Sequence, residues 1–234
     1  MKKNIIFCSG GTGGHILPAI SMCNYIKDES NIILLTDKRG LKFINPTNYE
    51  TKILNINPLK KNNILLTIFA IIKLFLNFIY LIYFIYKKKI DIVFGFGGYV
   101  AFPILLAAKL LNKKIYLHEP NLVLGRTNKF FITSCEKIFT TSNKIINIPK
   151  KYAFKFIEVG PIIREEIINF SSKHLPENME EKTIIILGGS QGAKIFGEIV
   201  PNAILNLIKK NKKIKIYQQV LSEQIESVKL FYRF

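Results

Sequence analysis

The sequence predicts an α/β fold built on parallel sheet, and three stretches carry that prediction. "NIIFCSGGTGGH" (4–15), "DIVFGFGGYVAFP" (91–103) and "TIIILGGSQGAK" (183–194) each join a strand-length apolar run to glycines and then to a helix-like segment. Repetition of this design marks βαβ units. Strands that are apolar throughout, without alternation, fit a sheet covered on both faces.

Between these stretches the elements follow in order. A helix over Ile16–Lys27 leads to the β-rich run "NIILLTD" (31–37). After the strand at 91 and a helix over Ala101–Leu111 come "KIYLHEP" (114–120), "KIFTTS" (137–142) and "FIEVGP" (156–161). The segment "NFSSKHLPENMEEK" (169–182), rich in Ser, Pro and charge, then breaks the pattern as a linker would. The expected organisation is a first domain over 1–165, a linker over 166–182 and a second domain beginning at 183 and running to 234. That second part has a strand at 183–187, a helix over about 192–210 and a strand at 214–220. Two strands and two helices cannot cover both faces of a doubly wound sheet, so this domain is expected to be incomplete in the chain.

Composition narrows the function classes. With 49% hydrophobic and 21% charged residues, the 234-residue chain is globular and not disordered. Its net charge of +18 is nearly all lysine, since only four of 34 basic residues are arginine. Lysine rising together with isoleucine and asparagine is also what compositional drift produces, so the charge reads either as drift or as preference for an anionic partner. Nucleic acid is not the expected partner, because RNP-like aromatics, zinc-finger spacing and an arginine-rich helix are all missing from the sequence. Cys8, Cys23 and Cys135 form no CxxC pair, which suits a reducing compartment and argues against a disulfide framework or a zinc site. His15, His118 and His174 have no ligand spacing either, so neither metal nor cofactor is expected. The apolar run after "MKK" stops at Ser9, too short for a signal-peptide core, and predicts a cytoplasmic protein.

The segment 64–86 has only Thr67, Lys73 and Asn77 as clearly polar residues. As a helix it would be ~34 Å long, enough to cross a bilayer. A span would put the glycine loop at 10–14 and that at 95–98 on opposite sides of the membrane, although both should belong to one sheet. The favoured reading is one or two helices with one face on the sheet and the other in the lipid interface; a buried helix pair is the alternative. Lys60, Lys61, Lys87, Lys88 and Lys89 flank the segment where acidic headgroups would lie, and Tyr80, Tyr83 and Tyr86 suit the interfacial zone.

In "SGGTGGHILPA" the glycines permit a tight turn and close approach of backbone N–H groups to an anion, and the helix that follows adds its positive end. No Lys-Ser or Lys-Thr follows, so this is not a Walker A loop, and the GxGxxG spacing also fails at Ile16. His15 at the end of the loop reads either as a helix cap or as a general base.

"GGTGGHILPA", "GFGGYVAFP", "LHEPNLVLGRTN", "VGPIIRE" and "LGGSQGAK", in this order, resemble the MurG family of UDP-N-acetylglucosamine transferases, from Ile5 to about Gln219. The resemblance implies a GT-B fold, two Rossmann-like domains with parallel sheets. It also implies a metal-independent, inverting transfer of GlcNAc from UDP-GlcNAc to the C4 hydroxyl of a polyprenyl-diphosphate-linked N-acetylmuramyl pentapeptide (lipid I to lipid II). Such an enzyme works as a peripheral protein on the anionic cytoplasmic face of the bacterial inner membrane. Carried over to this sequence, His15 becomes the candidate base, with Glu119 as competing base or orienting partner. Donor contacts fall on Thr12, Gly13, Gly14, Asn121, Arg164 (after the sixth strand) and Ser190. Phosphate-holding loops fall on Gly10 and Gly11, on Gly97, Gly98 and Tyr99, and on Gly188, Gly189, Gln191 and Gly192.

Three departures bear on donor geometry: Pro120 stands in the family's "HEQN", "GPIIR" replaces "GNPVR", and Gln218-Gln219 replaces a "HQ" pair. With part of the donor half missing, the chain alone is expected to bind UDP-GlcNAc poorly and turn over little. Another GT-B UDP-sugar enzyme (a glycolipid glycosyltransferase or an epimerase) and an inactive membrane-surface fragment are the competing readings.

Overall fold

The structure, a computed structural model, describes residues 2–45, 49–55, 64–171, 182–189, 193–209 and 214–232. Internal contacts divide the chain into two units, Met1–Phe170 and Ser171–Phe234. In the first, β1 (Lys3–Cys8), β2 (Ser30–Thr36), β3 (Glu50–Ile53), β4 (Ile92–Gly95), β5 (Lys114–Glu119), β6 (Lys137–Thr140) and β7 (Phe156–Glu158) form one sheet. Its order is β3-β2-β1-β4-β5-β6-β7 and every pair is parallel. The helices are α1 (Gly13–Ile26), α2 (Ile64–Lys87), α3 (Ala101–Leu110), α4 (Arg126–Phe131) and α5 (Glu165–Ser171). The chain builds outward from β1 to β3 and then returns to β4 on the other side of β1. The loops after β1 and β4 therefore part company at a topological switch point, where open α/β sheets form their ligand crevice.

Both faces of this sheet are covered, as the unbroken apolar strands require. On one face Ile16, Ala19 and Cys23 of α1 are buried against Ile5, Phe7, Ile32, Leu34 and Phe94. Phe7, Phe94, Tyr116 and Phe139 stack there across four strands, Phe94 lying 5.5 Å from Phe7 and 5.6 Å from Phe139 between ring centroids. On the other face Leu81 and Ile85 of α2 and Ile104, Leu105 and Ala108 of α3 pack over Ile6, Val93, Leu117 and Ile138. Cys8, Cys23 and Cys135 are free and buried.

Three differences from the sequence expectation stand out. The strand β3 was not expected: at four residues, half of them charged, it carries too little apolar signal, and its edge position explains why it can be so polar. Arg164 consequently follows the seventh strand and not the sixth. The start of the expected linker is helical, since α5 runs to Ser171; positions 172–181 lie outside the described residues.

The apolar segment is one helix, α2, and not a pair. Its side chains are described at position 72 and over 75–87, and among these no stretch is long and apolar enough to cross a membrane. Leu81, Phe84 and Ile85 are buried, one helical stripe facing the sheet. Ile72, Phe75, Leu76, Ile79, Tyr80, Tyr83 and Tyr86 form a second stripe that is exposed. Lys52 of β3 lies over the Phe84 ring at 4.3 Å and donates to the Tyr80 hydroxyl at 3.1 Å, while Lys88 pairs with Glu50 at 2.8 Å. Lys60 and Lys61 lie outside the described residues.

In the second unit β8 (Lys182–Ile186) and β9 (Ile214–Gln218) pair in parallel, joined by α6 (Lys194–Ile208) and followed by α7 (Ile225–Phe231). Ile185, Leu187 and Tyr217 are exposed, so this small sheet carries uncovered apolar surface.

Candidate active site

The two glycine loops of the first unit lock onto each other. The Phe96 amide donates to the Cys8 carbonyl at 2.8 Å, and the Gly10 amide donates to the Gly97 carbonyl at 3.3 Å. Gly97 and Gly98 sit at φ +81° and +79°, a left-handed conformation that glycine adopts without strain. Close packing adds a second demand on the first loop. A Cβ on Gly11 would collide with Asp37 Oδ1 and with the Gly40 amide nitrogen.

Thr12 caps α1 in an extended conformation, and its carbonyl accepts from the His15 and Ile16 amides at 2.9 and 3.0 Å. Gly13 and Gly14 open the helix, where backbone N–H groups have no intrahelical acceptor, and nothing would obstruct a Cβ on Gly14. The first turn of α1 thus faces open space with the properties of an anion seat.

His15 is half-buried against the second loop: a Cβ on Gly97 would lie 3.2 Å from its Cε1 and 3.4 Å from its Nδ1. Nδ1 is buried and makes no direct hydrogen bond among the described residues. His15 therefore does not cap α1, and the capping alternative falls away. Burial lowers its pKa, opposed by the charge of Glu119 and by the Phe96 carbonyl, so the ring is neutral at pH 7 and able to accept a proton.

Glu119 is 1% exposed at the end of β5, and four N–H groups converge on it. Oε1 accepts from the Asn121 backbone and side-chain nitrogens at 3.1 and 3.0 Å; Oε2 accepts from the Gly125 amide at 2.7 Å and from Asn128 Nδ2 at 2.9 Å. A carboxylate has about four lone-pair sites, and here all are used. Asn121 is exposed, with its side-chain amide nitrogen anchored on Glu119. Thr127 ties this loop to the second glycine loop by donating to the Gly98 carbonyl at 3.1 Å. Pro120 leaves the anchoring intact, because the Asn121 amide and not its own makes the bond to Glu119.

Beneath these loops lies a group that the sequence reading did not assign. His118 is fully buried, 5.3 Å from the Phe96 ring; among the described residues both its imidazole nitrogens are unpaired, and so is Asn128 Oδ1. Burial, reinforced by His15, pushes the His118 pKa down to about 4. The unfolded chain binds this proton near pH 6.5 and the folded chain near 4, so stability is full above 6.5 and is lost as pH falls toward 4. The loss should reach about 3 kcal/mol. Denaturant midpoints measured from pH 7 to pH 4 should show it, and His118→Leu should flatten the slope.

Asp37 and Arg39 were also not expected. Asp37, 4% exposed after β2, accepts from the Arg39 amide, Nε and Nη2 at 3.0, 2.9 and 2.7 Å and from the Tyr99 hydroxyl at 3.1 Å.

Of the remaining expected residues, Arg164 is exposed at the start of α5, 3.8 Å from Glu166. Gly188 and Gly189 lie in the second unit, where Gln219 grips both ends of the pair: its Oε1 accepts from the Gly188 amide at 3.0 Å and its Nε2 donates to the Gly189 carbonyl at 2.9 Å. Gln218 instead donates to the Phe196 carbonyl at 2.9 Å and accepts from the Tyr232 hydroxyl at 2.8 Å. Ser190, Gln191 and Gly192 lie outside the described residues.

Known proteins are similar to this chain. A Pelagibacter ubique protein named UDP-N-acetylglucosamine–N-acetylmuramyl-(pentapeptide) pyrophosphoryl-undecaprenol N-acetylglucosamine transferase is 40% identical over 99% of the chain. A Wolbachia protein of the same name, from the Brugia malayi endosymbiont, is 36% identical over 98%. The chain spans 64% and 63% of their lengths. Among solved structures, Acinetobacter baumannii MurG superposes with a TM-score of 0.73 at 24% identity, over 98% of this chain and 64% of that one. A Neisseria meningitidis UDP-GlcNAc 2-epimerase bound to UDP-GlcNAc gives 0.59 at 14% identity, over 99% and 69%. The expected GT-B fold is thus the fold found, with two parallel strands described in the second unit. Residues 5–140 match the glycosyltransferase family 28 N-terminal domain, and the chain belongs to that family.

Proposed function

We propose that the protein carrying this chain is an inverting hexosyltransferase that moves GlcNAc from UDP-GlcNAc to the C4 hydroxyl of lipid-linked N-acetylmuramyl pentapeptide, making lipid II from lipid I. The observation that carries this reading is the pair of interlocked glycine loops with a neutral, half-buried His15 between them. It stands in a chain 40% identical to a transferase of that name.

The displacement needs a base for the attacking hydroxyl and fixed donors for the departing diphosphate. His15 takes the hydroxyl proton on Nε2 while the acceptor oxygen attacks the anomeric carbon and the bond to UDP breaks on the opposite side. Glu119 acts as orienting partner and not as base, because all its lone pairs are used and it holds Asn121 at the cleft. The first-turn amides at Gly13 and Gly14 offer donors for negative charge. Asn121, Arg164 and Ser190 are the donor-sugar contacts, and the Gly188–Gly192 loop holds the UDP phosphates.

The exposed stripe of α2 rests in the lipid interface at the cytoplasmic face of the inner membrane, with Lys87, Lys88 and Lys89 toward anionic headgroups. Its location fits an acceptor whose polyprenyl tail stays in the bilayer.

The full-length protein, given UDP-GlcNAc and a short-chain lipid I analogue, should transfer GlcNAc. No transfer, with activity on diacylglycerol or on free UDP-GlcNAc instead, would sink the reading. In liposome flotation, binding should require anionic lipid and weaken with salt. Phe75→Ser with Tyr83→Ser should abolish it, and flotation indifferent to lipid charge would remove the role of the lysines.

A further inference from the structure

We infer that Arg39 is a diphosphate-binding residue of this site, contacting the diphosphate of the lipid-linked acceptor where the two glycine loops meet; this rests on the proposed transferase reading.

Arg39 touches both loops. Its Cβ packs where a Gly11 side chain would otherwise be, so the first loop lies directly against it. Its guanidinium sits over the Tyr99 ring of the second loop, 5.2 Å from the centroid. Asp37 fixes the guanidinium through Nε and Nη2 and also accepts from the Tyr99 hydroxyl, so one buried carboxylate sets the arginine and the second loop together. Burial and the Asp37 charge push the Tyr99 phenol pKa up, which keeps it a donor. Despite this bracing the arginine side chain is 47% exposed. Among the described residues, both N–H groups of Nη1 and one of Nη2 have no acceptor, which leaves a preorganised planar fork suited to phosphate oxygens.

The sequence adds an independent argument. Lysine supplies almost all positive charge in this chain, yet position 39 holds one of only four arginines. Lysine would supply charge there but neither the fork nor the stacking over Tyr99.

Sheet order selects the acceptor over the donor as the source of the diphosphate. Arg39 follows β2 and Asn121 follows β5, on opposite flanks of the loops that follow β1 and β4. On the β2 flank lies β3, whose Lys52 contacts α2, the helix proposed for the lipid interface, and whose Glu50 pairs with Lys88 just past its end. An acceptor anchored in the membrane would bring its diphosphate to that flank.

The test uses Arg39→Lys and Arg39→Ala in the full-length protein, with KM measured separately for the lipid I analogue and for UDP-GlcNAc. The acceptor KM should rise about 10-fold or more, the cost of losing a charged hydrogen-bond pair, while the UDP-GlcNAc KM stays within about twofold. A rise in the UDP-GlcNAc KM alone would assign Arg39 to the donor and overturn the inference. Parallel rises with a lowered melting temperature, or no change in either KM, would also overturn it. Titration of this chain with inorganic pyrophosphate gives a readout independent of transfer: wild type should bind, and Arg39→Ala should bind at least about 10-fold more weakly. If the full-length protein transfers no sugar, the functional reading fails; equal pyrophosphate binding by wild type and Arg39→Ala overturns the Arg39 assignment itself.

Discussion

Replacing His15 with alanine in the full-length protein should lower kcat by about 10²–10⁴-fold, the usual contribution of a positioned general base, with little change in melting temperature. The buried Nδ1 has no hydrogen-bond partner among the described residues, so truncating the ring leaves no group there stranded. What disappears is a proton acceptor kept neutral by burial. The pH dependence follows from the sign of that effect. A lowered pKa keeps the base form dominant further into acid, so kcat/KM should be level near pH 7. It should decline only below about pH 6.5, the ordinary histidine value, as the ring protonates. The neighbouring His118, neutral above pH 4, adds no competing charge in this range. An alanine variant within tenfold of wild type would remove His15 from the chemistry.

Glu119→Ala should cause the largest loss of stability of any single change at the site. It strands the Gly125 amide, the Asn128 side chain and both nitrogens of Asn121, all supplied to one buried carboxylate. Breaking such a charged, fully bonded group costs about 3–5 kcal/mol, or roughly 6–20 °C in melting temperature at this size. Glu119→Gln should fare little better, because its amide nitrogen would face two N–H donors where an oxygen accepted them. The pair of variants also separates Glu119 from His15 as base. A catalytic base at Glu119 would give a glutamine variant that folds as wild type and fails only in turnover. The geometry here predicts a protein that melts early, with activity falling alongside Asn121 order.

Much of this was legible in the sequence, and the pattern of what was not is physical. The glycine loops and their strands announce themselves because one short window contains apolar run, glycines and helix start. Fully apolar strands gave away the two-sided covering of the sheet. The edge strand β3 was hidden because an edge needs little apolar character. Asp37 and Arg39 were hidden for a different reason: "TDKRG" is an ordinary turn until the parallel pairing of β1 with β2 and β4 sets it beside Gly11 and Tyr99. His118 and Asn128 likewise read as parts of a motif, and only burial reveals that both His118 nitrogens and Asn128 Oδ1 lack partners among the described residues. Glu119 was legible as important but not in its role, since a role depends on how many donors reach it.

The two apolar stripes of α2 have a consequence during synthesis. Its inward stripe is buried against α3 and the strands beside it, of which α3 and β4 come later in the chain. When Lys87 leaves the ribosome, only β1, α1, β2 and β3 precede it, and the helix has no finished surface to dock on. Translation to the end of α3 at Leu110 takes roughly 1–5 s at 5–20 residues per second. For that interval both stripes are open, and a membrane can receive the helix before its own sheet does. Under the proposed membrane-surface reading, the helix meets lipid while the sheet is still incomplete, and β4 has yet to reach its place beside β1.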